Sequence, residues 1–270
     1  MLKPILMDMS GIYLQDDYFG SDPDRNLFEV LSLRHLKGTD GYCSEEAAAV
    51  LKKTIAGLAI KKERSKAEDS AENISRIHFL DNGNFHYLSL FFLELVKEPF
   101  QLLVFDHHTD MQPSGLLPLL SCGSWVLHTL EENDFLKRVV LIGPPREDYL
   151  RIPEGCRKKI LWIPEDADPD KMIYSISAGF SNQEKVFGTL PVYLSIDKDI
   201  LCVADCPSNW DQGNMKTERL EEWLEIIGSQ CRIAGCDICG APAYGESCDR
   251  NRETDLQIWK TVSCFMEHDL

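Results

Sequence analysis

The stretch "LLVFDHHTDMQ" at residues 102–112 decides the fold class, because an apolar run leads directly into several ionisable side chains. The apolar part is continuous rather than alternating, which is typical of a strand that is covered on both faces of a parallel sheet. The charged residues follow where this strand would end. Either they cap the strand in solvent, or they bind something charged.

Other segments repeat the strand pattern, and helical patterns separate them. Strands are predicted at 5–10, 76–83, 100–106, 138–143, 159–164, 192–197 and 232–238, and helices at 44–60, 85–97, 217–229 and 253–268. This alternation predicts an α/β fold with a mostly parallel sheet that is covered on both faces. No interdomain linker is visible, so we predict a single domain over residues 1–270. The long loop at 201–216 directly follows a predicted strand and is expected to line an active site.

The charge of the chain bears on its partners. The formal net charge is -16, from 44 acidic and 28 basic residues. Such a surface repels phosphate backbones and anionic lipids. We therefore expect a small-molecule substrate, and no nucleic acid or membrane partner. No apolar run reaches the roughly 18 residues of a membrane span, and the first residues do not have a signal-peptide pattern, so we expect a cytoplasmic protein.

Typical metal ligands follow three of the predicted strands. Within two of these sets the ligands are spaced by two, and alternate residues of an extended chain share a face. Since parallel strands all end at the same side of a sheet, we expect the three sets to converge. The six residues are His86, Asp106, His108, Asp110, Asp197 and Asp199.

The chemistry of these six residues indicates a binuclear metal site. Four carboxylates in one place repel each other unless cations balance them, and two divalent ions would do so. Carboxylates and imidazoles without a thiolate favour Mn²⁺ over a structural zinc ion. Two such ions can share a bridging water, lower its pKa and present hydroxide to an electrophilic carbon. The pattern therefore predicts a hydrolase.

The same residues resemble the motifs of the ureohydrolase superfamily, which includes arginases, agmatinases and formiminoglutamases. "GNFH" (83–86), "DHHTD" (106–110) and "SIDKD" (195–199) stand in the order of that family's G-G-D-H, D-A-H-x-D and S-x-D-x-D motifs. The resemblance implies a three-layer α/β/α arginase-like fold. It also implies a binuclear manganese centre on the six residues, with Asp110 among the catalytic ones, and assembly into oligomers. His107 replaces a small residue of the motif and is expected to point away from the metals.

Two positions depart from the family's pattern. Trp125 stands where arginases have a histidine that shuttles protons, and His128 is the candidate that could replace it. Gly240 stands where the family has a glutamate that pairs with the guanidinium of the substrate. Tyr244, in the following loop, is a candidate for polarising a scissile carbonyl.

Three functions are therefore weighed. The first is a binuclear metal-dependent hydrolase of linear C-N bonds in an amidine, guanidine or amide, in which Asp211 or Glu246 could meet a cationic group of the substrate. The second is a noncatalytic metal- or ligand-binding protein of the same fold. The third is a thiol redox protein that uses two of its cysteines, which are Cys236 with Cys239 or Cys202 with Cys206.

Overall fold

The computed structural model describes residues 3–21, 24–65, 76–113, 119–172 and 190–267, and within these ranges an eight-stranded sheet forms the centre of the fold. All neighbouring strands of this sheet are parallel. Its strands are β1 (Ile5–Asp8), β2 (Glu29–Ser32), β4 (Ile77–Phe79), β5 (Phe100–Phe105), β7 (Leu136–Gly143), β8 (Ile160–Pro164), β9 (Val192–Asp197) and β10 (Ile233–Cys239). A separate antiparallel pair consists of β3 (Tyr42–Cys43) and β6 (Leu120–Ser121).

Helices lie between the strands along the chain. They are α1 (Glu45–Ser65), α2 (Leu88–Leu93), α3 (Trp125–Glu132), α4 (Arg146–Arg151), α5 (Glu154–Arg157), α6 (Thr217–Gln230) and α7 (Asp249–Glu267). The predicted cap of α1 is present, because the Ser44 hydroxyl accepts a hydrogen bond from the Ala47 amide at 3.2 Å. Every predicted strand is found. The predicted helix at 85–97 is shorter, α7 begins earlier than predicted, and residue 268 of that prediction lies outside the described residues.

The sheet separates two hydrophobic cores, as continuous apolar strands predict. Leu103 and Phe105 of β5 point into one core, which α6 and α7 cover. Leu102 and Val104 point into the other, which α1, α2 and α3 cover. The three-layer α/β/α architecture is therefore confirmed.

The strand order brings the motifs together. It runs β2-β1-β4-β10-β9-β5-β7-β8, so that β10 and β9 lie between β4 and β5 although they come later in the chain. Because all these strands are parallel, the carboxyl ends of β4, β9 and β5 lie at one edge of the sheet. The three sequence motifs lie at these strand ends: two of them follow β4 and β5, and the third spans the end of β9.

A buried polar cluster ties this edge to two other parts of the chain. Lys198, directly after β9, places its Nζ 2.6 Å from Asp255 Oδ1 of α7 and 3.0 Å from the Tyr18 hydroxyl of the N-terminal segment. Tyr18 in turn donates a hydrogen bond to Asp255. Burial alone would lower the pKa of Lys198, but the Asp255 carboxylate opposes this and the pKa is raised. The ammonium group is therefore held charged within the fold.

We predict that Asp255→Asn lowers the free energy of unfolding by about 3–5 kcal/mol, because it leaves the Lys198 charge buried without its partner. Urea denaturation would measure this. Glu94→Gln serves as the control, because Glu94 forms an exposed ion pair with Lys52 and its loss should change stability by less than about 1 kcal/mol. Equal effects of the two substitutions would contradict the prediction.

Candidate metal centre

His86 lies at the centre of the first group of predicted ligands. Its Nδ1 is 3.0 Å from Asp110, 3.3 Å from Asp106 and 3.4 Å from Asp197. The other ring nitrogen, Nε2, is 2.8 Å from the hydroxyl of Ser195. All five residues are buried. His86 therefore presents one nitrogen to three carboxylates, and a hydroxyl partner holds the other.

His108 lies at the centre of the second group and is more exposed. Its Nδ1 is 2.9 Å from Asp199 Oδ2 and 3.4 Å from Asp106 Oδ1. Its Nε2 is 3.2 Å from Asp211 Oδ1. Asp106 Oδ2, on the other side of the same carboxylate, faces His86. The two groups thus share Asp106, and the structure brings all six predicted ligands together.

A repeated local turn places the ligands, rather than the extended alternation that the sequence suggested. In "DHH" the Asp106 side chain accepts a hydrogen bond from the His108 amide at 2.6 Å. In "DKD" the Asp197 side chain accepts one from the Asp199 amide at 3.0 Å. Asn82 does the same for the Asn84 amide, also at 3.0 Å, just before His86. Asx turns of this kind explain the spacing by two after the strands have ended.

The residues fit divalent cations. His86, Asp106 and Asp110 offer one group of ligand atoms within 4.8 Å of one another, and Asp106, His108 and Asp199 offer a second. Asp106 Oδ2 is buried, and apart from the His86 ring nitrogen at 3.3 Å no described polar group lies in hydrogen-bonding position to it. A buried carboxylate oxygen in this state is costly unless a cation pairs with it. Oxygen and imidazole ligands suit a hard or borderline ion such as Mn²⁺.

The crowding of the carboxylates raises the pKa of two of them. Burial raises the pKa of Asp197 to about 8, and the nearby Asp199 carboxylate adds to this. Burial and the Asp106 carboxylate raise the pKa of Asp199 to about 6. A bound cation reverses such shifts, because it stabilises the ionised form. The site is therefore electrostatically suited to positive charge.

Trp125 holds one of the ligands in place. Its indole Nε1 donates a hydrogen bond to Asp110 Oδ2 at 2.5 Å, and its ring packs against His86 with centroids 4.8 Å apart. The Val126 amide donates to the Asp110 carbonyl at 3.1 Å. These bonds support Asp110 in a left-handed conformation, with φ of 48°. An indole N–H only donates, so Trp125 cannot shuttle protons as the replaced histidine would.

A cavity of about 220 Å³ opens onto the six residues. Its remaining described walls carry no charged side chain. Burial raises the pKa of the Cys122 thiol to about 11, so that wall also stays neutral near pH 7. Besides the six predicted ligands, the lining residues are Gly41, Gly83, Gln112, Ser121, Cys122, Gly123 and Trp210.

Three other candidates lie elsewhere. His128 Nδ1 is 3.0 Å from the Ser124 carbonyl, and the ring lines a separate cavity of about 340 Å³. Tyr244 is 64% exposed, and Glu246 is also exposed. None of the three is among the described residues that line the cavity at the ligands. The structure therefore does not support the predicted catalytic contacts of His128 and Tyr244.

The first of the two cysteine pairs does not form a redox site. Cys236 belongs to one core and Cys239 to the other, because strand β10 points them to opposite faces of the sheet. Burial raises the pKa of both thiols. Cys202 and Cys206 are free thiols as well. A dithiol function is therefore excluded for Cys236 with Cys239 by geometry, and the other pair is not bonded.

Sequence reasoning missed the roles of Ser195 and Asp211. Ser195 precedes Asp197 by two residues in β9, so strand alternation alone places it on the same face as that ligand, and this signal was available. Asp211 was considered as a substrate contact rather than a partner of His108. Its position depends on how the 201–216 loop folds back, which no local pattern indicates. The His107 ring is not among the described lining residues, in agreement with its expected direction.

Comparisons with known proteins support the fold. No family model matches the chain. A Thermotoga maritima protein that is named only "Uncharacterized protein" is 33% identical over 175 residues, which are 63% of this chain and 62% of that protein. The match thus spans less than two thirds of the relative.

None of the described helices has both the length and the hydropathy that crossing a membrane requires.

Two solved structures illustrate the structural likeness. The agmatine ureohydrolase of Thermoplasma volcanium superposes with a TM-score of 0.65 at 14% identity, over 98% of this chain and 90% of that one. The arginase from Bacillus caldovelox superposes with a TM-score of 0.63 at 14% identity, over 97% and 98% respectively. The predicted resemblance to the ureohydrolase superfamily is thereby confirmed at the level of the fold, and the chain is a divergent example of the arginase-like three-layer architecture.

Proposed function

We propose that the chain is a binuclear metal-dependent hydrolase that cleaves a linear C-N bond of a small molecule. The observation that carries this proposal is the pair of ligand groups that share buried Asp106 at the carboxyl edge of an arginase-like sheet. The names of the two structural neighbours, an agmatine ureohydrolase and an arginase, support this class of reaction. Four carboxylates that face two imidazoles in one place repel each other unless cations balance them, which supports a metal centre.

In this proposal each ion has its own set of ligands. His86, Asp106 and Asp110 would hold the first, and Asp106, His108 and Asp199 the second, with Asp197 facing His86. Manganese suits these oxygen and imidazole ligands. When bound, two divalent cations lower the pKa of water and supply hydroxide at neutral pH.

In the proposed reaction, residues of the chain orient the reacting groups and transfer protons. Ser195 can accept the Nε2 proton of His86, which leaves Nδ1 free to act as a ligand. Trp125 fixes Asp110, and the carboxylate of Asp110 can hold the proton that the attacking water gives up. Hydrolysis joins the water oxygen to the carbon and breaks the C-N bond, and the leaving nitrogen takes up that proton. Asp110 would thus serve as both ligand and proton carrier.

Gly240 bears on the choice of substrate. Its φ is +84°, and an added Cβ would lie 2.3 Å from Asp197 Oδ1 and 2.7 Å from the Lys198 amide nitrogen. No glutamate fits at this position unless Asp197 moves. The position therefore provides no carboxylate for a guanidinium.

The described cavity walls favour an uncharged substrate. Two divalent ions would balance the four carboxylates, and the remaining described lining residues are neutral. A cationic group of a substrate would therefore find no partner there. Among amidines, guanidines and amides, this favours an amide, whose carbonyl carbon is the electrophile.

The alternative is a noncatalytic metal-binding protein of the same fold. The observation that favours it is Trp125, which occupies the place of a proton-shuttling histidine and cannot accept a proton. Turnover measurements separate the two proposals.

Metal analysis of the purified protein tests the centre directly. We expect two manganese ions per chain after loading. Asp199→Asn should lower this content and abolish turnover, because the amide keeps the shape but loses the charge that a cation requires. Asp168→Asn is the matched control, since Asp168 pairs with Lys171 at the surface. A metal-free wild-type protein that turns over substrate would refute the proposal.

Product analysis tests the substrate. The manganese-loaded protein would be incubated with N-acetylated amines, formimino compounds, guanidino acids and agmatine, and released acetate, formamide, ammonia and urea would be measured. We expect turnover of an amide and little or no urea. Urea release as the main activity would contradict the preference, and a fully loaded protein that releases nothing would support the noncatalytic alternative.

Gly240→Ala tests the link between this glycine and the centre. We expect it to destabilise the protein by more than about 1 kcal/mol, since alanine is strained at positive φ, and to weaken manganese binding because Asp197 is displaced. Gly57→Ala in α1 is the control, where an added Cβ meets nothing within 4 Å. That change should stabilise by about 0.5–1 kcal/mol. Unchanged stability and metal binding in Gly240→Ala would contradict the argument.

A further inference from the structure

A loop residue outside the sequence motifs contacts the more exposed histidine of the centre. Asp211 lies in the 201–216 loop, and its Oδ1 is 3.2 Å from His108 Nε2. We propose that Asp211 is a positioning residue, which accepts the Nε2–H of His108 and so holds Nδ1 toward the metal. The inference rests on the proposed binuclear centre and adds a residue that neither its ligand set nor its motifs contain.

The protonation of imidazole explains why such a partner is needed. A neutral imidazole carries one proton, and the nitrogen that binds a metal must be the one without it. If Nδ1 of His108 is the ligand, Nε2 carries the proton and requires an acceptor. Carboxylates in this arrangement fix the tautomer and the ring orientation, and they raise the basicity of the ligand. Asp211 is the acceptor that the structure provides.

Hydrogen bonds join the segment that precedes Asp211 to the turn that precedes His86. Asn209 accepts a hydrogen bond from the Gly83 amide at 3.0 Å and donates one to Asn84 Oδ1 at 3.1 Å. Trp210 Nε1 also donates to Asn84 Oδ1, at 2.8 Å. The indole lies so close to Gly83 that an added Cβ there would be 2.6 Å from the ring. These contacts fix the chain immediately before Asp211.

Hydrogen bonds to backbone carbonyls also hold the segment that follows Asp211. Gln212 Nε2 donates to the carbonyls of Leu201 and Cys206, at 2.8 Å each. The Gly213 amide donates to the carbonyl of Asp199, itself a predicted ligand, at 2.8 Å. Asp211 therefore stands on a braced loop although its side chain is 76% exposed. Such bracing is what a positioning role requires, and a solvated surface carboxylate would not need it.

The two histidines of the centre are thus supported differently. His86 bonds to the buried hydroxyl of Ser195, from a strand of the sheet. His108, whose side chain is 29% exposed, bonds to a carboxylate from a loop.

Manganese titration of the full-length protein by calorimetry tests the inference. We expect Asp211→Ala to weaken one of the two binding events by about 10- to 100-fold and to leave the other unchanged. Asp211→Asn should fall between, because its amide oxygen can still accept the Nε2–H but carries no charge. The matched control is Asp205→Asn in the same loop, where Asp205 bonds to Lys216 Nζ and the Thr217 amide at 3.1 Å each.

Other readouts separate positioning from a structural role. The unfolding midpoint of Asp211→Ala should match the wild type, and in Zn²⁺-loaded protein the NMR signal of the His108 Nε2–H should exchange faster with water in the variant. Unchanged affinities in Asp211→Ala would overturn the inference, and so would equal weakening of both events. Both results leave the proposed hydrolase intact, whereas a wild-type protein that binds no Mn²⁺ would overturn the centre and the inference together.

Discussion

The shared carboxylate of Asp106 is the constraint on which the rest of the structure depends. It lies buried between two imidazoles, with three more carboxylates close by. Like charges in a poorly solvated place are unfavourable, and the raised pKa values of Asp197 and Asp199 report this. The fold tolerates the arrangement because rigid elements fix every member: two central strands, the indole of Trp125 and the buried Lys198 cluster behind them. Divalent cations would convert this unfavourable charge into binding energy.

The sequence predicts the sheet and the ligands for sound physical reasons. Strand β5 is apolar throughout because both of its faces are buried, and this pattern is visible without a structure. The convergence of the six ligands follows from parallel strands alone. The predicted extended geometry was wrong in part, since Asp106 with His108, and Asp197 with Asp199, lie in Asx turns rather than on an extended chain. Side-chain hydrogen bonds to the backbone set this geometry, and residue spacing does not reveal them.

What the sequence did not predict depends on contacts between distant segments. Strand β2 lies at the edge of the sheet and is partly exposed, and β3 and β6 have two residues each, so none of them has the continuous apolar run of the predicted strands. The position of Asp211 follows from hydrogen bonds between residues 83–84 and 209–210, far apart in the chain. His128 and Tyr244 were assigned from motif offsets, but α3 and an exposed loop direct them elsewhere. Local contacts explain the two positions that depart from the family's sequence pattern. Trp125 donates a hydrogen bond to Asp110, and Gly240 leaves room for the Asp197 side chain.

Two of the carboxylates both close an Asx turn and face a histidine of the candidate metal centre. One oxygen of Asp106 closes the turn at His108 while the other faces His86, so a single side chain is both a part of the backbone turn and a candidate ligand. Asp197 has the same arrangement with Asp199 and His86. A glutamate, one methylene longer, cannot reach both partners from the same place, and an asparagine keeps the turn but not the charge. At these two positions the chain's local folding and its affinity for cations are therefore inseparable. Asp199 joins the two roles in a different way, because its Oδ1 accepts a hydrogen bond from the His107 amide at 3.0 Å while its Oδ2 faces His108.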